Sequence, residues 1–156
     1  MDWIEKAAEN FKKQNDSAEK YNELNAEFQE SYPHLVESLW NMFEKTFDEI
    51  KSKFGDSTGF EANGNTMRLV IGDVMITGVA DNGKYLGGIH GAADISYEVH
   101  GQTGTVDLPV DRILIYDLEN PSWMYFKDHV NGRKLVPFQE EDIQEIYRTA
   151  LSIYLR

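Results

Sequence analysis

The sequence predicts an α+β domain built from N-terminal helices, a twisted antiparallel β-meander and a C-terminal helix packed on one face of the sheet. Three observations carry that expectation. From Trp3 to Phe54 there is no glycine and Pro33 is the sole proline, while apolar residues recur at helical spacing. After Gly55 the texture changes to short β-branched runs punctuated by glycine. From Phe138 to Arg156 a helical period returns. The length of 156 residues suits one domain, with 1–54 helical, 55–137 the sheet and 138–156 the closing helix.

In the first third, Trp3, Ala7 and Phe11 share a face at i, i+4, i+8, and Ala18, Tyr21, Leu24 and Phe28 continue the spacing. Asp16 with Glu19 resembles a capping box and suggests a fresh helix start. Pro33 disfavours helical geometry at Tyr32, so a break or kink is expected at Ser31–Pro33. The segment after it carries a broad stripe, Leu35, Val36, Leu39, Trp40, Phe43, Phe47 and Ile50, which predicts burial against a sheet. The earlier stripe is thinner and its flanks are rich in Glu, Lys, Asn and Gln. Packing on the domain is the expectation for it, and a surface for a partner or for self-association is the other reading.

In the middle, Asn63-Gly64, Asp81-Asn82-Gly83 and Asn131-Gly132 each separate two extended runs, and each supplies the positive φ values that tight hairpins need. RILIYDL reads as a central strand, with Pro109 placed where a ladder N–H is spared. KYLGGIH reads as extended, and Glu119 to Ser122 as a turn. The closing helix has Gln139 as its cap, Phe138 and Ile143 as a hydrophobic staple, and three acidic residues in its first turn.

DISYEVH alternates Ile95, Tyr97 and Val99 against Asp94, Ser96, Glu98 and His100, the pattern of a half-buried strand with one wet face. His90, Asp94 and His100 therefore do not read as a metal site. Residues four apart on a strand are about 13 Å apart, too far for one ion. A site would need His129, Asp107 or Asp111 brought alongside, and no ligand motif supports it. There is no GxSxG, Walker loop or GxGxxG, and there are no cysteines. No cofactor, no metal and no catalytic residue is therefore expected, although an active site assembled from distant strands would leave no local signature.

Charge gives the remaining direction. The net charge of −12 disfavours phosphate-backbone binding, hence direct contact with nucleic acid, and favours basic surfaces. No apolar run is long enough for a membrane span and no leader is apparent, so a cytoplasmic protein is expected. The functional expectation is a non-enzymatic acidic module that docks on a basic protein, as small inhibitors, immunity proteins and anti-defence proteins do. Glu23, Glu27 and Glu30 are its candidate charges. Trp123, Tyr125 and Phe126 are its candidate anchors; alternation turns Trp123 and Tyr125 one way and Met124 and Phe126 the other, with the outward pair expected to lie under the N-terminal helices. The alternative is a ligand binder or enzyme with a pocket between sheet and helix, using His90, Tyr97, His100 and Arg112. Homo-oligomerisation through the N-terminal helices is a third reading.

Overall fold

A computed structural model of the chain describes residues 2–82, 88–101, 108–110 and 112–155. It begins with one helix, α1 (Trp3–Phe54), followed by β1 (Thr58–Asn63), β2 (Thr66–Ile71), β3 (Val74–Asp81), β4 (Gly91–Val99), β5 (Arg112–Ile115), β6 (Met124–His129), β7 (Gly132–Pro137) and α2 (Glu140–Ala150). The strands form a single sheet in sequence order, each antiparallel to the next. The α+β meander expected from the sequence is thus the fold observed.

The N-terminal helices are one helix. Asp2 caps it by accepting the Ile4 N–H, and Gly55, at φ 70°, ends it with its own N–H on the Lys51 carbonyl. Neither Asp16 nor Pro33 interrupts it. Proline removes one backbone hydrogen bond and costs a helix interior about 3 kcal/mol. Here the neighbouring turns offset that cost, because Phe28, Tyr32, Val36 and Leu39 are all buried against the sheet. Packing overrides the local preference of Tyr32 for extended backbone.

That buried face continues through Trp40, Phe43 and Phe47. It meets the inward parity of the strands, Met67, Leu69 and Ile71 on β2, Val74 and Ile76 on β3, Ile95 and Tyr97 on β4, Ile113 and Ile115 on β5. Helix α2 adds Ile143, Ile146 and Tyr147 to the same cluster, so both helices cover one face of the sheet. Aromatic donors tie the layers together: Trp40 Nε1 donates to the Gly64 carbonyl (3.0 Å), Trp123 Nε1 to the Leu35 carbonyl (2.8 Å) and the Tyr147 hydroxyl to the Phe43 carbonyl (2.7 Å). Each ring buries its polar handle with a partner, as a buried Trp or Tyr requires.

The hairpins differ from expectation by one residue. Asn63 closes β1 against Thr66, leaving Gly64-Asn65 as the loop, and His129 pairs with Gly132 around Val130-Asn131. A further two-residue turn, Gly72-Asp73, joins β2 to β3. Glycine alone takes positive φ among the described residues, 59° at Gly64 and 60° at Gly72, so the asparagines do not share the left-handed region. RILIYDL is a strand only to Ile115, because Asp117 Oδ1 accepts the N–H groups of Glu119 and Asn120 and turns the chain. In KYLGGIH, residues 84–87 lie outside the described residues, and Gly88 to His90 are not in a strand.

At the other end, Gln139 N–H donates to Asp142 Oδ2 at 2.8 Å, and α2 ends in a short 3-10 turn, Ser152–Tyr154. The Tyr154 hydroxyl accepts the Asp73 N–H (2.8 Å) and its ring meets Phe54. The C-terminus is thereby fastened to both the β2–β3 turn and the end of α1.

Candidate functional site

The two faces of the sheet differ in what they offer. The helix-covered face is filled by fully buried apolar side chains, including Leu39, Phe43, Leu69 and Ile76. Tyr97 lies there, and burial raises its hydroxyl pKa. The opposite face carries Asp94, Ser96 and Glu98 of β4 to solvent, the alternation read from the sequence.

The four polar groups expected in a sheet–helix pocket do not converge. His90 precedes β4 and sits against α1, its ring 6.4 Å from Tyr21 and 6.1 Å from Phe28. His100 follows β4 in an exposed turn, its N–H on the Asp73 carbonyl. The nine-residue strand between them spans roughly 30 Å. Arg112 is on the outer face, paired with Asp94 (Nε to Oδ1 2.7 Å). Among the described residues no group of three or more His, Asp or Glu is placed to hold a metal ion; Asp107 and Asp111 lie outside them.

Arg112 belongs instead to a groove of about 670 Å³ on the outer face, with Leu114, Tyr116, Phe126 and Arg133 along it. Tyr116 meets Phe126 edge-on, and the Arg133 guanidinium stands 5.9 Å from the Phe126 ring centre. The aromatic run is therefore split as alternation requires, with Trp123 and Tyr125 buried toward the helices and Phe126 exposed. The N-terminal helix does not cover Phe126, because α1 lies on the other face of the sheet. Tyr125 donates its hydroxyl to Asp142 Oδ1 (2.6 Å). Its pKa is pushed up to about 12 by burial, then by that hydrogen bond and by the charges of Asp142 and Glu141.

Glu23, Glu27 and Glu30 are exposed on α1. Glu23 and Glu30, though not Glu27, belong to a longer array that reading residue by residue misses. Asp2, Glu9, Asp16, Glu23, Glu30, Glu37 and Glu44 recur at every seventh position, and all seven are exposed. None of them is in an ion pair among the described residues. Seven residues fall about 20° short of two full turns, so the carboxylates form a slowly winding row roughly 63 Å long. Its last two members border a second groove, of about 680 Å³, between α1 and β1, where Trp40, Phe60 and Glu61 also lie. The signal was present in the sequence as a period of seven, hidden by the expectation of breaks at Asp16 and Pro33.

No helix among the described residues is long and apolar enough to cross a membrane. Comparison with protein-family models, with curated proteins and with solved structures finds no match, so the geometry alone carries the functional reading.

Proposed function

We propose that this protein is a non-enzymatic acidic binding module that docks on a basic protein surface, in the manner of small inhibitors and immunity proteins. The observation that carries the reading is the carboxylate row of α1, seven exposed acids on one uninterrupted helix without internal ion-pair partners among the described residues. From Glu23 to Glu44 the charged side chains of α1 are all acidic, whereas Lys6, Lys13 and Lys20 stand beside the earlier carboxylates. A field of one sign along that part of the helix speeds encounter with an oppositely charged surface, and the effect weakens as salt screens it. Phe126, exposed beside Arg133 at the groove, supplies a candidate apolar anchor.

The test is capture on the immobilised protein at low and high salt, with identification of whatever is retained. A basic protein held in stoichiometric amount, released by salt and lost when Glu23, Glu27 and Glu30 are changed together to lysine, is the expected outcome. Capture that ignores both salt and charge reversal, or no capture, refutes it. The second reading, a small-ligand binder, is favoured by the outer groove, where Arg112 and Arg133 flank Tyr116 and suit an anionic aromatic ligand. A small molecule retained through purification and released by Arg133→Ala would establish it.

A further inference from the structure

From Asp2 to Glu23 every residue of α1 is exposed, including Trp3 at 76%, Ile4 at 56%, Phe11 at 65% and Tyr21 at 52%. This apolar stripe continues, turn by turn, the face that Phe28 and Tyr32 bury in the protein's own core. Its chemistry is sorted by position. In a seven-residue frame, every charged residue from Asp2 to Glu30 falls at the positions of Asp2, Glu5 or Lys6. The positions of Trp3, Ile4, Ala7 and Ala8 hold no charge through four repeats and carry only apolar residues, Asn, Gln and Ser. A helix whose sole task was solubility would have no reason to clear charge from four-sevenths of its surface.

We infer that this uncharged face of α1 is the dimerisation surface of the protein, occupied by the same segment of a second copy running antiparallel. A charge-free face is compatible with itself, whereas a basic partner would be drawn to the carboxylate row on the opposite side. The stripe is also self-complementary in size. Antiparallel packing with the axis between Lys12 and Lys13 sets Ile4 against Tyr21 of the second copy, Ala7 against Ala18 and Phe11 against Gln14. Small then meets small, and Gln14, meeting Phe11 twice by symmetry, supplies the polar contact that fixes the register.

Direction follows from charge. Each copy carries −12. In a parallel pair the two sheet domains would lie side by side; in the antiparallel pair the two Phe28 residues are about 46 Å apart, several Debye lengths at physiological salt. The aromatic and aliphatic surface removed from both copies is on the order of 1,000 Å², just below the range of stable interfaces and within that of weak ones, which implies a concentration-dependent dimer.

The chain has no cysteine, so introduced thiols report directly. An equimolar mixture of Ala7→Cys and Ala18→Cys proteins, oxidised gently, should give the mixed disulfide, while Ala7→Cys alone should not cross-link, its two sites being about 16 Å apart. Sedimentation between about 1 and several hundred µM should show monomer passing to dimer, and Phe11→Glu should abolish the dimer with helical circular dichroism unchanged. A monomer at every concentration, a mixture that fails to cross-link, or Ala7→Cys proteins that cross-link with each other would overturn the inference. It is independent of the docking reading: charge reversal at Glu23, Glu27 and Glu30 should leave the dimer intact, and Phe11→Glu should leave the carboxylate row intact.

Discussion

The hydroxyl of Tyr125, on β6, donates to Asp142 at 2.6 Å, and the other oxygen of that carboxylate accepts the backbone N–H of Gln139 at the start of α2. One side chain thus caps a helix and holds it to a strand. Tyr125→Phe should cost about 1.5–3 kcal/mol, the range for a hydrogen bond to a charged group. Because the Tyr125 pKa rises in the folded state from 10 to about 12, its contribution is complete below pH 10 and is lost as pH climbs toward 12. Tyr147, raised by burial and by Asp48, adds to the same alkaline loss. Thermal melts at pH 9 and 11 should therefore diverge in the native protein and diverge less in Tyr125→Phe.

Gly78 lies under Trp40. A Cβ there would stand 2.7 Å from Trp40 Cζ3 and 2.8 Å from Cη2, and Trp40 is held by its bond to the Gly64 carbonyl. Gly78→Ala should therefore overpack the core and cost about 1–3 kcal/mol. Denaturant unfolding at unchanged m-value measures it. A neutral result would mean that Trp40 moves without penalty.

Gly72 and Gly64 share a φ near 60°, but they differ in surroundings. A Cβ at Gly64 meets nothing within 4 Å, whereas one at Gly72 falls 2.5 Å from the Tyr154 hydroxyl. Alanine at either position pays about 1–2 kcal/mol for left-handed backbone. Gly72→Ala should cost more than Gly64→Ala, and Tyr154→Phe should recover part of the difference. Equal losses would show that the C-terminal turn yields freely.

Pro33 sits inside α1. Pro33→Ala restores an N–H donor and removes a ring clash, so stability should rise by up to about 3 kcal/mol. A fall in melting temperature would instead show that the course of α1 across the sheet depends on the proline.

Helix, sheet and closing helix were legible because their periods are distinct: the 3.6 spacing from Leu35 to Ile50, the alternation from Asp94 to Val99, and the staple of Phe138 and Ile143. Pro33 announced a helix end that packing at Phe28, Tyr32 and Val36 overrode. Asp16 lies in the fully exposed part of α1, where no packing acts and the run free of glycine and proline simply continues the helix. The candidate pocket drew His90, Tyr97, His100 and Arg112 together by residue type, but strand parity sends Tyr97 inward, and strand length separates the two histidines. Which groove Arg112 would border depended on how β5 and β6 meet, and among the described residues they pair only at Leu114 and Met124. That junction has no sequence signature.

The order of the chain has a consequence for its birth. Every strand pairs with its sequence neighbour, so the sheet can assemble hairpin by hairpin as it leaves the ribosome. The helix α1 cannot finish in that way. It is made first, yet Phe43 accepts its hydrogen bond from Tyr147, 104 residues later. At translation rates of 5–20 residues per second, roughly 5–20 s pass between the synthesis of Phe43 and that of its partner Tyr147. During that interval the part of the nascent helix that α2 covers stays open, and chaperone demand during synthesis should fall when α1 is moved by circular permutation to follow α2.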